Sequence, residues 1–165
     1  MEPGRSIGAT ADRPPAATPT RWLADEMLGR LARYLRFAGL DTEYVRDATD
    51  DAIAARARAD GRTLLTRDRA LARRVAGSLL LASPSLDEQL RAVWTTFPDL
   101  PRAPSFDRCT RCNGRLTEAS AGTPRPDGGA PPGPIYVCGS CGHQYWEGSH
   151  TARVRERLRA VLGPP

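Results

Sequence analysis

The sequence contains no lysine; all 24 of its basic residues are arginine. A phosphoryl-accepting, receiver-like switch, which sets a lysine against its phosphate, is disfavoured by that absence. The arginine bias itself carries little weight, because genomic codon bias explains it as well as selection for phosphate-gripping forks does. The chain also lacks any apolar run near the roughly 20 residues of a membrane span. Residues 1–20, "MEPGRSIGATADRPPAATPT", hold no apolar core of the kind a signal peptide needs. A soluble, cytoplasmic protein with a disordered leader over 1–20 is expected. Cysteine is scarce, with four residues in two tight pairs, which argues against a dispersed disulfide framework.

What remains is a chain of 165 residues with a net charge of +5, a balance that favours polyanionic partners such as nucleic acid. Residues 21–100 alternate short apolar runs with amphipathic stretches. Strands are predicted at 21–24, 42–45, 63–66 and 79–82, with helices at 26–38, 50–60, 68–76 and 85–97. Such alternation calls for βαβ units and a small, mostly parallel sheet in an α/β fold. The first helix should bury Met27, Leu28, Leu31, Leu35 and Ala38, turn Arg30, Arg33 and Arg36 outward, and stop at Gly39. Ser85 and Glu88 have capping-box spacing ahead of the stripe Leu86, Leu90, Val93 and Phe97. After a proline-rich connector at 97–106 comes a cysteine-bearing segment, broken by a Pro/Gly-rich loop at 120–134. A terminal helix at 151–162 should face Val154, Leu158 and Val161 inward. The expected division is a leader over 1–20, an α/β body over 21–104, and a cysteine-bearing unit with the terminal helix over 105–165.

"CTRC" and "CGSC" place Cys109 and Cys112 ahead of Cys138 and Cys141, a pattern in which two tight turns each offer two thiolates to one ion. Zinc suits the set, and a closed four-sulfur site is structural, leaving no ligand role for His143. In "QYWEGSH", Tyr145 and Trp146 could stack bases, and His150 could contact phosphate or carry a proton. The competing reading is that the aromatics dock this ribbon on the body and Ser149 or His150 starts the terminal helix.

Acids gather at strand exits. Asp25, Asp47 and Asp68 each follow a predicted strand, and Asp50 and Asp51 open the second helix. In a sheet of order 2-1-3-4, strands one and three meet where the order reverses, and ligands bind beyond the carboxyl ends there. Asp25 and Asp68 would then face each other, with Asp50 or Asp51 leaning in from the side, and could share Mg²⁺ or Mn²⁺, hard ions that accept carboxylate oxygens. Arg30, Arg67 and Arg69 would neutralise phosphates nearby. Aspartate is also a favoured helix cap, so each acid has a second explanation. Asparagine caps as well but brings no charge to a cation, which separates the two.

Three stretches, "DEMLGRLARYLR", "LLTRD" and "YWEGSH" after the second CxxC, resemble the Mut-seven C-terminal RNase domain family, over residues 21 to about 160. The resemblance implies a PIN-like, three-layer nuclease fold followed by a zinc ribbon, and metal-dependent ribonuclease activity on RNA or another single strand. It also implies Asp25, Asp50 and Asp68 as the acids of the site, with Glu26 and Asp51 as adjacent alternatives, and the four cysteines as ribbon ligands. Two departures stand out. The stretch between the cysteine pairs is shorter and richer in proline and glycine than the family's insert. A fourth acid is not obvious among Asp47, Asp51 and Asp87. The alternative to a nuclease is a non-catalytic nucleic-acid-binding adaptor that works through the ribbon.

Overall fold

The computed structural model describes residues 18–129 and 133–164, so most of the expected leader lies outside the described residues. Strand β1 (Arg21–Ala24) sends Trp22 and Ala24 into one apolar cluster and Leu23 into another. Strand β3 (Thr63–Thr66) does the same with Leu65 and Leu64. Period-two alternation between two buried faces requires unbroken apolar runs, and "WLA" and "LL" supply them. With β2 (Asp41–Tyr44) and β4 (Leu79–Leu80), these strands form a sheet of order β2-β1-β3-β4 in which every pair is parallel.

Helices cover both faces. Leu31, Leu35, Leu90 and Val93, from α1 (Gly29–Phe37) and α4 (Leu86–Thr96), pack with Trp22 on one side. Ile53, Ala54, Ala57 and Leu71, from α2 (Asp50–Ala59) and α3 (Arg69–Arg74), pack with Leu23 on the other. The three-layer arrangement that the resemblance implies is present, and the strand order is the 2-1-3-4 supposed for the placement of the acids.

Three local expectations fail. The first helix opens as a 3₁₀ turn over Glu26–Leu28, and Met27 is 53% exposed rather than buried. A 3₁₀ turn winds at three residues per turn, so its side chains fall out of phase with the α-helix that follows. Arg36, expected outward, is 5% exposed, because its guanidinium serves buried carbonyls. Ser85 stands at the cap of α4 but makes no side-chain cap bond, so the capping box with Glu88 does not form. Gly39 does end α1, with φ +84°.

A second, antiparallel sheet follows: β5 (Leu116–Glu118), β6 (Ile135–Cys138) and β7 (Gln144–Trp146), in that order. The chain then returns through α5 (Ser149–Leu162). Val154 and Leu158 enter the same core as Leu90, each contributing about 2 kcal/mol by the usual burial scale. Arg157 donates from Nε and Nη2 to Asp87 Oδ1 at 3.0 and 2.7 Å, fastening α5 to α4.

Candidate functional site

The second sheet brings Cys109, Cys112, Cys138 and Cys141 together, with one sulfur from each lying within 4.8 Å of the others. The close pairs run between the two turns, Cys109 to Cys141 at 3.6 Å and Cys112 to Cys138 at 3.5 Å. A zinc ion with sulfurs at about 2.3 Å would set tetrahedral edges near 3.8 Å, so the donor set fits such an ion. Backbone amides aim at the sulfurs: Arg111 and Cys112 at Cys109, Gly114 at Cys112, His143 at Cys141. Burial pushes the Cys109 thiol up, but hydrogen bonds from Tyr145 and those amides outweigh it and bring it to about 6. Cys112 is pushed up to about 12, with burial the first cause. Sulfurs this close cannot all ionise unless a cation joins them. His143 stands outside the cluster, its Nδ1 3.4 Å from Arg111 Nη1.

Each turn ends in the left-handed region, at Asn113 (φ 67°) and Gly142 (φ 70°). The asparagine is the costlier residue there, and its side chain has a task. Asn113 Oδ1 accepts from the Thr42 amide at 2.9 Å, and Nδ2 donates to Asp41 Oδ1 at 2.7 Å. Arg36 Nε donates to the Thr42 carbonyl at 2.7 Å, and Nη1 to the carbonyls of Thr110 and Arg111, both at 3.1 Å. The first cysteine turn is thereby fixed to β2 and α1. Sequence periodicity missed this because it sorts arginine to the surface, and no pattern announces a buried fork.

The acids are arranged differently. Asp25, Asp50 and Asp68 line one cleft of about 100 Å³ with Glu26 and Asp47, at the carboxyl ends of β1 and β3 where the strand order reverses. Each is also engaged locally. Asp25 is 4% exposed; Oδ1 accepts from the Met27 amide, and Oδ2 accepts from the Thr66 hydroxyl and from the Arg67 amide at 3.4 Å. Burial raises its pKa above the ordinary carboxylate value, against those hydrogen bonds. Asp68 Oδ1 caps α3 through the amides of Ala70 and Leu71 at 2.6 and 2.9 Å. Asp50 lies 4.0 Å from Arg74, which also pairs with Asp51. Among the described residues, the only metal-capable group at single-ion distances is the four-cysteine cluster, so these carboxylates do not form an Mg²⁺ or Mn²⁺ cage as they stand. Thr66 links the two central acids, accepting from the Asp68 amide at 2.9 Å while donating to Asp25. Arg30, Arg67 and Arg69 do not line this cleft.

A larger groove of about 650 Å³ runs between α1 and the second sheet. Arg33 and Phe37 line it from α1, Arg108 and Arg111 from the first cysteine turn, and Trp146 and His150 from the other wall. His150 sits in the first turn of α5 with its ring 5.4 Å from that of Phe37. Tyr145 belongs to the sulfur site, its hydroxyl 3.1 Å from Cys109 Sγ and accepting from the Thr110 amide at 3.1 Å. Trp146 is half-buried, with Arg125 Cζ 4.6 Å from its ring centroid.

The described residues thus form a parallel α/β body with acids at its switch point, followed by a four-cysteine antiparallel ribbon. The Mut7-C RNAse domain model matches residues 20–158, and the chain belongs to that family. No curated protein and no solved structure matches it. Among the described residues no helix is long and apolar enough to cross a membrane.

Proposed function

We propose that the chain binds RNA, or another single-stranded nucleic acid, along the groove between α1 and the ribbon. The carrying observation is that one concavity collects Arg33 from the body and Arg108 and Arg111 from the first cysteine turn. Guanidinium forks match phosphate oxygens, and the net charge of +5 draws a polyanion in from a distance. Zinc on the four cysteines would supply no reaction, since a closed site offers no open position; it would hold the first turn, and hence its arginines, in place. Residues 21–104 and 105–165 thus act as two parts of one binding surface. The test is anisotropy of a labelled single-stranded RNA titrated with zinc-loaded protein. Affinity should fall steeply with salt, and Arg33→Ala with Arg111→Ala should weaken binding and flatten the salt slope by about two counterions. A wild-type protein that binds no RNA even at low salt sinks the reading.

A second reading, metal-dependent hydrolysis of the bound strand, is favoured by the cleft that Asp25, Asp50 and Asp68 line together. RNA cleavage with Mg²⁺ or Mn²⁺ that disappears in Asp25→Asn, with RNA binding intact, would establish it. Intact RNA under either metal, with binding retained, leaves the adaptor role alone.

A further inference from the structure

Arg125 is stacked on Trp146 inside the groove, 4.6 Å from the ring centroid, and is ion-paired to Asp127 beside it. All three residues line the concavity that also holds Arg33 and Arg111. The planar, cationic guanidinium occupies the ring face that an unpaired base would take. We propose that Trp146 is a stacking subsite for one unpaired nucleobase and that Arg125 caps it in the ligand-free protein. This rests on the groove being the nucleic-acid surface.

Three observations favour a base as the incoming group. Trp146 and Arg125 are both partly buried, and a base brings to the ring a wider π-face than the guanidinium together with flanking phosphates that the arginines of the groove can hold. A base therefore competes with the guanidinium for the ring. Arg125 keeps Asp127 as its partner when it leaves the ring, so displacement strands no charge. The remaining walls suit the rest of a nucleotide, because Arg33 and Arg111 are exposed forks lining the same hollow. Recognition of this kind suits single strands, whose bases can splay out, and not a closed duplex.

The ring also reports its own occupancy. Trp22 is 0% and Trp94 3% exposed, so a nucleic acid that quenches tryptophan emission does so through Trp146. The experiment uses zinc-loaded full-length protein, a single-stranded oligouridylate and a duplex of equal length. Expected results are quenching by the single strand, a loss of affinity of about 5- to 150-fold in Trp146→Ala, and near wild-type affinity in Trp146→Phe. Quenching should vanish in Trp146→Phe, which keeps an aromatic ring and guards against a folding defect. Arg125→Ala with Asp127→Ala, which uncovers the ring without changing the net charge, should bind the single strand more tightly than wild type. Trp146→Ala binding within twofold of wild type overturns the subsite, and weaker binding by the Arg125→Ala, Asp127→Ala protein overturns the cap. Either result would leave the groove reading standing, whereas absence of any RNA binding by wild type removes the groove itself.

Discussion

Two sets of potential metal ligands in this molecule met opposite fates. Four cysteines, lying in two pairs far apart in the chain, converge until their sulfurs nearly touch. Three aspartates reach a common cleft, yet each turns its oxygens to nearby backbone amides or an arginine. The contrast teaches that sharing a cavity and sharing an ion are different achievements. A thiol has little else to bond with and gathers, while a carboxylate at a helix start already has good local donors.

The largest effect should follow loss of the sulfur site. Removing zinc with a chelator, or Cys138→Ser, should forfeit on the order of 10 kcal/mol of metal-linked folding energy and unfold the second sheet. Limited proteolysis and bound-metal content would show it, and a ribbon that stays protected without metal would break the contrast. Next comes the tether. Arg36→Met keeps the stem but orphans three carbonyls, which should cost roughly 2–4 kcal/mol in denaturant unfolding.

The acid cleft should be quieter. Folded Asp25 has a raised pKa, so its stabilising contribution is present below the unfolded value and lost as pH rises through the folded one. At neutral pH Asp25→Asn, whose amide nitrogen cannot accept from Thr66 and Arg67 as Oδ2 does, should cost on the order of 1–3 kcal/mol, and Asp68→Asn, which keeps the cap, less than that. A loss well beyond that in the melting curve would mark the acids as structural only. The smallest effect concerns Asp41. Burial alone would raise its pKa, but bonds from Asn113 and Arg62 and the charge of Arg108 hold it below the ordinary value. Its contribution is present above about pH 3.9 and fades as pH falls through the folded value, so wild type should lose its margin over Asp41→Asn only in acid.

The parallel α/β alternation was legible because apolar runs such as "WLA" and "LL" recur between amphipathic helices, whereas the order 2-1-3-4 entered as a supposition and the three layers as what the family resemblance implied. The sulfur site was legible because CxxC spacing is nearly self-sufficient chemistry. Arg36 and Asn113 were not. An arginine on the outward arc of a helix and an asparagine after a cysteine turn look ordinary until the ribbon folds back upon them. The same limit applies to Asp25, where capping and ligation use one residue type at one position.

Thr42 illustrates what the tether protects. It lies on β2, the outermost strand of the parallel sheet, and its amide and carbonyl are taken by Asn113 and Arg36. An uncovered border strand is a template for pairing with another chain. The cysteine turn therefore works as a seal on that border, and metal starvation would turn this molecule sticky through β2 before its body unfolds.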